Sequence, residues 1–179
     1  MFNGLENTET YKTIRLALPI IIGELAQMSL HLIDTAMVGA ISYRHLAAAS
    51  LVMNAVNIPF VIGIGMTISV SQMVAMANGR RDVPQVSHYL FNGFCICSVF
   101  ALLISLGLIS GRNILFHLGQ DPEVAKLAYP FMLLVGISII PMLLFMTLKQ
   151  FTDGLEYTRT AMILSLGALP VNAFLNWLF

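Results

Sequence analysis

Hydrophobic residues occupy five long blocks of this chain, and short polar stretches separate them. The blocks predict five helices, at about 11–38, 46–77, 89–109, 124–152 and 158–179. Each block is long enough to cross a bilayer, for which about 20 mostly apolar residues suffice. The pattern therefore predicts an all-α integral membrane protein, with residues 1–179 forming one transmembrane unit.

The composition agrees with this pattern and narrows the function. Of the 179 residues, 58% are hydrophobic and 10% are charged, whereas a soluble domain has roughly 25% charged residues. The net charge is zero, which gives no indication of a nucleic-acid partner. The sequence has no zinc-protease, serine-hydrolase or phosphate-loop motif. We therefore predict neither enzyme activity nor a cofactor, and transport is the favoured function.

The first hydrophobic block carries a polar stripe. Glu24, Gln27, His31 and Asp34 lie within Leu16–Val38, and at ~100° per residue they share an arc of about 80° on one helix face. An ionisable side chain inside a membrane is a candidate functional residue, because burying its charge there costs free energy. The stripe is predicted to face a protein interior or a water-filled cavity.

A second polar pair lies at a similar predicted depth. Asn172 and Asn176 follow the positively charged Arg159 on the last block and share one helix face. Together with Asp34 they would supply one carboxylate and two amide oxygens, which suit a hard cation such as Na⁺. The same carboxyl group could instead bind and release H⁺. A hydrogen-bonded cluster with only a packing role is the remaining alternative.

Three further positions are candidates. Pro19 lies inside the first block, where the missing backbone hydrogen bond favours a bend. Asn54 and Asn57 lie three residues apart in the second block. They are predicted either to line a passage or to hydrogen-bond to neighbouring helices.

The basic residues predict an orientation. If the N-terminus is cytoplasmic, the inner side holds six basic residues and the outer side three: Lys12, Arg15, Arg80, Arg81, Lys149 and Arg159 against Arg44, Arg112 and Lys126. This bias follows the positive-inside rule. The odd number of helices and the apolar end of the sequence predict that it is the N-terminal part of a longer protein.

Two stretches resemble one transporter family. LALPIIIGELAQMSLHLIDTAMVG is similar to the first helix of MATE (multidrug and toxic compound extrusion) transporters, and KQFTDGLEYTRTAMILSLGALPVNAFLNWLF to their fourth and fifth helices. The resemblance implies two six-helix lobes, of which this chain would be an incomplete N-terminal one. It also implies a plasma (inner) membrane antiporter that exports organic, often cationic, compounds in exchange for H⁺ or Na⁺.

The resemblance also assigns residues. It places the family's first-helix aspartate at Asp34, its kink proline at Pro19, and its fifth-helix polar pair at Asn172 and Asn176. Some relatives have an aspartate at the last of these positions, so this chain has one carboxylate fewer. Glu24 matches no motif of the family, and its role stays open.

Two other functions are compatible with the sequence. One is a related transporter that moves a lipid-linked or other large amphipathic substrate. The other is a truncated membrane fragment with a structural or interaction role. For a transporter, the missing lobe would come from the same chain or from an oligomer. The sequence decides neither the substrate nor the coupling ion.

Overall fold

The computed structural model describes residues 2–117 and 119–178, with side chains from residue 10 onward. These residues form five α-helices and contain no strand: α1 (Phe2–Ile41), α2 (Tyr43–Gly79), α3 (Val83–Gly111), α4 (Pro122–Gly154) and α5 (Thr158–Leu178). A short 3₁₀ helix, Arg112–His117, connects α3 to α4. Each α-helix contains a stretch long and apolar enough to cross a membrane, as the hydrophobic blocks predicted.

Helices α1 to α4 are longer than the hydrophobic blocks that predicted them. α1 begins at Phe2 rather than near residue 11, and Ser42 alone separates it from α2. α3 begins at Val83 rather than at residue 89, because the Asp82 side chain caps its first turn by accepting a hydrogen bond from the Gln85 amide. Hydropathy marks the part of a helix that suits the membrane, whereas caps decide where the helix ends.

Three helices, α2, α3 and α4, pack closely around one apolar core and form the three-helix group. Small residues permit this approach. A Cβ atom at Gly154 of α4 would lie 2.6 Å from the Ser71 carbonyl oxygen of α2, and one at Gly63 of α2 would lie 3.0 Å from Leu143 of α4. Close contact at two levels therefore holds α2 against α4.

The remaining helices, α1 and α5, pack mainly against each other and form the helix pair. Gly23 of α1 faces the Met162 backbone of α5, where an added Cβ would lie 3.7 Å from the Met162 Cα. α1 contacts α2 much less than it contacts α5, and α5 contacts α4 only weakly. A seam of sparse contact thus separates the helix pair from the three-helix group.

Candidate functional site

Asp34, Asn172 and Asn176 form an amide–carboxylate cluster between α1 and α5. The Asn176 Nδ2 donates a hydrogen bond of 2.6 Å to the Asp34 Oδ1. The same nitrogen lies 3.2 Å from the Asn172 Oδ1, which accepts a second hydrogen bond. All three side chains are partly buried. The structure therefore brings together the three residues that the sequence placed at a common depth.

A cavity of about 220 Å³ adjoins this cluster. Residues of α1, α4 and α5 line it: Gln27, Leu30, His31, Asp34, Met142, Phe145, Met146, Ser165, Ala168 and Asn172. Drug-sized pockets occupy roughly 300–1,000 Å³. The cavity in this arrangement is therefore large enough for ions and water molecules, and smaller than an organic substrate usually needs.

Some of the other candidate residues line this cavity, and the rest lie elsewhere in the structure. Gln27 and His31 of the predicted stripe line the cavity with Asp34. Asn54 and Asn57 have exposed side chains on α2 and are not among its lining residues. Pro19 is buried within α1, which continues through it as one helix.

Glu24 belongs to a second polar assembly, the charged triad of Glu24, Lys149 and Asp153. The Lys149 Nζ donates to the Glu24 Oε1 at 2.6 Å and lies 3.9 Å from the Asp153 Oδ2. The exposed fractions of these side chains are 5% for Lys149, 9% for Asp153 and 53% for Glu24. A buried ammonium thus joins α1 to α4 through an ion pair.

The sequence had assigned Lys149 only to a flank of the membrane, but its side chain is buried among helices. One local signal pointed to its neighbour: Lys149 and Asp153 are four residues apart on α4 and share a face. The pairing with Glu24 joins residues 125 positions apart. No local sequence pattern predicts a pairing between residues so far apart in the chain.

Two buried polar atoms have no hydrogen-bond partner among the described residues. They are the Asp153 Oδ1 of the triad and the Ser165 Oγ of α5. Ser165 also lines the cavity beside Asp34. The Asp153 Oδ1 could accept a proton, whereas the Ser165 Oγ could hydrogen-bond to water in the cavity.

A terminal cleft of about 670 Å³ opens where residues 12–16 of α1 meet the α4–α5 turn and the first residues of α5. Its lining is mostly polar and basic: Lys12, Thr13, Arg15, Leu16, Glu156, Thr158 and Arg159. Three of its lining residues, Glu156, Thr158 and Arg159, follow Asp153 closely in the sequence. The polar lining of the cleft suits water.

Comparison with known proteins identifies the family. The MatE family model matches residues 19–178. The chain is 28% identical to the multidrug resistance protein NorM of Photobacterium profundum, a match that covers 96% of this chain and 38% of that protein. The NorM of Vibrio vulnificus (strain YJ016) is 32% identical, with coverages of 96% and 38%. A probable NorM of Rhizobium meliloti (strain 1021) is 33% identical, with coverages of 91% and 35%.

The chain thus spans a little over a third of the length of these relatives. A solved structure shows the same helical fold: a MOP superfamily transporter from Pyrococcus furiosus Vc1 (DSM3638) superposes with a TM-score of 0.83 at 18% identity. That match covers 91% of this chain and 36% of the transporter. The family model covers most of the sequence, so the resemblance seen in the sequence is confirmed: this chain is an integral membrane protein chain of the MatE family.

Proposed function

We propose that the protein containing this chain is an antiporter that exports small organic, often cationic, compounds in exchange for H⁺ or Na⁺. This chain would be the N-terminal part of its first lobe. The family and the multidrug resistance proteins among its relatives support export. The observation that carries the coupling proposal is the Asp34–Asn176 hydrogen bond, which joins α1 to α5 beside a cavity.

Asp34 can exchange a proton without losing its partner. While it is ionised, the Asn176 amide nitrogen donates to its Oδ1. A protonated Asp34 would become a donor, and a rotated Asn176 amide would present its oxygen as the acceptor. Proton binding therefore reverses the direction of the bond between α1 and α5. It also changes which atom of Asn176 faces Asn172, so the two protonation states favour different contacts.

Na⁺ would use the same residues in a different way. The carboxylate of Asp34 and the amide oxygens of Asn172 and Asn176 are hard ligands that suit it. The Asn176 nitrogen faces Asp34 in this structure, so the amide would have to rotate before its oxygen reached the ion. Both ions thus require the Asn176 amide to rotate, and transport measured in gradients of each ion distinguishes the two.

The sparse contact along the seam would allow α1 to move when an ion binds at Asp34. Because α1 is packed mainly against α5 and only sparsely against the three-helix group, it can bend without disrupting the main core. Pro19 is the position where such a bend costs least, since it lacks a backbone N–H. We propose that ion binding at Asp34 bends α1 near Pro19 and reshapes the cavity, which moves substrate outward.

The proposal extends to location and completeness. The basic residues favour a cytoplasmic N-terminus, and membership of the family favours the plasma membrane. Since the matched region is 38% of the length of these relatives, the second lobe is expected in the same natural protein. Assembly from several copies of a shorter product is the alternative. The protein would act by moving substrate rather than by a chemical reaction.

The test is Asp34→Asn in the natural protein that contains this chain, reconstituted into vesicles. We expect ion-driven export to fall to background, because the amide can neither exchange a proton nor balance a cation. Asp121→Asn is the matched control. Asp121 caps α4 by accepting from the Glu123 amide, and Asn caps a helix as well as Asp does.

Unchanged export by Asp34→Asn, with the same dependence on the ion gradient, would remove Asp34 from the mechanism. Loss of export in both variants would show that the defect is not specific to the cluster.

A further inference from the structure

The charged triad crosses the seam of the molecule. Glu24 belongs to α1 of the helix pair, whereas Lys149 and Asp153 belong to α4 of the three-helix group. The hydrogen-bonded ion pair between Lys149 and Glu24 is therefore a polar contact between parts that otherwise touch sparsely. Any motion of α1 away from α4 must break it.

The triad contains one ammonium and two carboxyl groups. Lys149 can neutralise one of them, and a second ionised carboxylate would leave an uncompensated negative charge. Removing a charge from water without compensation is expensive, and the side chains of Lys149 and Asp153 are more than nine-tenths buried. With two carboxyl groups and one ammonium, the triad thus favours the binding of one further positive charge, such as a proton.

The geometry shows which carboxyl group lacks compensation. Lys149 is in hydrogen-bond contact with Glu24 at 2.6 Å but stands 3.9 Å from Asp153. The Asp153 Oδ1 has no partner among the described residues. An ionised carboxylate oxygen left without a donor carries the full cost of its desolvation, and a proton removes that charge.

We propose that the triad is a proton-binding site separate from Asp34. While Lys149 pairs with Glu24, the carboxyl group of Asp153 holds the proton. When the Glu24–Lys149 contact breaks, Lys149 pairs with Asp153 and the proton leaves for water in the terminal cleft. The site adds to the transport proposed above and does not require Asp34 to be the coupling residue.

The surroundings of Asp153 are consistent with this exchange. Lys149 and Glu24 are the charged groups that act on it electrostatically, and no titratable group described on α2, α3 or α5 adds to them. α2 contributes uncharged neighbours at this level, since Val74 and the Ser71 carbonyl lie against Gly154. The other charged side chains of this end line the terminal cleft: Lys12, Arg15, Glu156 and Arg159.

The arrangement makes proton binding depend on whether the seam is closed. With α1 in place, Lys149 forms its ion pair with Glu24 and Asp153 is neutral. With α1 displaced, Lys149 keeps a partner because Asp153 lies four residues further along the same helix. The ammonium is thus never left alone in the membrane. The proton has different affinities for the two arrangements, which is the requirement for coupling.

Infrared difference spectroscopy of the purified natural protein tests the site, since a protonated carboxyl group has its own carbonyl band. We expect such a band near neutral pH in the unmodified protein and its loss in Asp153→Asn. It should also be lost in Glu24→Gln, because Lys149 then turns to Asp153. The matched controls, Asp121→Asn and Glu123→Gln, should keep it. Glu123 pairs with Arg44 at the other end of α4.

The outcomes separate this site from the one at Asp34. The proposal is overturned if the unmodified protein shows no such band, or if the band survives both Asp153→Asn and Glu24→Gln. Loss of the band in Asp34→Asn alone assigns the proton to Asp34 and also overturns it. If the triad variants lose the band while Asp34→Asn still exports, the triad stands and the proposed coupling role of Asp34 falls. Should Asp153→Asn fail to fold, the half-exposed Glu24 carries the test by itself.

Discussion

Helix α1 contributes one carboxyl group to each of two polar assemblies, and their partners differ. Asp34 is held by amides of α5, within the helix pair. Glu24, ten residues earlier and thus about 15 Å away along the helix, is held by a buried ammonium of α4, across the seam. The amide–carboxylate cluster can change its proton while α1 and α5 stay packed. In the charged triad, Lys149 pairs with Glu24 while α1 contacts α4 and would pair with Asp153 when that contact breaks. Protonation of this site therefore depends on the contact between α1 and α4.

The largest expected effect comes from removing the ammonium group, which the charged triad contains and the amide–carboxylate cluster does not. Lys149→Met leaves the ionised Glu24 without its counter-charge beside a neutral Asp153, and we expect a loss of about 3 kcal/mol in the free energy of unfolding. That value is at the low end for breaking a buried pair, because Glu24 is half exposed. Chemical unfolding of the natural protein in detergent measures it. Lys126→Met, at an exposed position of the same helix, is the control.

The Lys149→Met result has an internal check. Adding Glu24→Gln should recover part of the loss, because it removes the charge that Lys149 had neutralised. Equal stability of Lys149→Met and Lys126→Met would show that the triad is not a compensated charge assembly.

A packing change beside the triad should have the next largest effect. In Gly154→Ala the new Cβ would lie 2.6 Å from the Ser71 carbonyl oxygen, so α4 must shift from α2. Such overpacking costs about 1–3 kcal/mol. Gly65→Ala, where the new Cβ meets nothing within 4 Å beyond its own stretch of helix, should be neutral or slightly stabilising. Thermal unfolding of the two variants compares them, and equal midpoints would contradict the close contact of α2 with α4.

A smaller effect is expected within the amide–carboxylate cluster. Asn176→Ala removes the donor to Asp34, a charge-assisted bond worth about 1.5 kcal/mol, and the loss should be near that value because the cluster is only partly buried. The ion dependence of export should change in the same variant. Asn57→Ala, an exposed amide on α2, should alter neither property. A change of ion dependence in Asn57→Ala would restore that residue as a candidate for the transport path.

The smallest effect concerns the cavity wall. The Ser165 Oγ is buried without a partner among the described residues, so Ser165→Ala removes a group that was not satisfied and should stabilise the protein by about 0.5–1 kcal/mol. Ser138→Ala, whose hydroxyl donates to the Leu134 carbonyl, should not stabilise it. Destabilisation by Ser165→Ala would instead show that the hydroxyl holds an ordered water in the cavity.

Much of the architecture followed from the sequence because its signals are local. Hydrophobic blocks of membrane length predicted the five helices, and helical periodicity predicted the stripe of which Gln27, His31 and Asp34 now line one cavity. Counting residues from the basic flanks placed Asn172 and Asn176 at the depth of Asp34. The structure joins them by hydrogen bonds.

The tertiary structure alone decided how the helices are grouped and how they are rotated. It paired α1 with α5, turned Asn54 and Asn57 to the exposed surface of α2, and brought Lys149 to Glu24. Hydropathy records which residues suit a membrane interior, and it does not record which helix faces which. The partner of a buried charge depends on that packing, so residues 125 positions apart could meet without any local pattern to announce it.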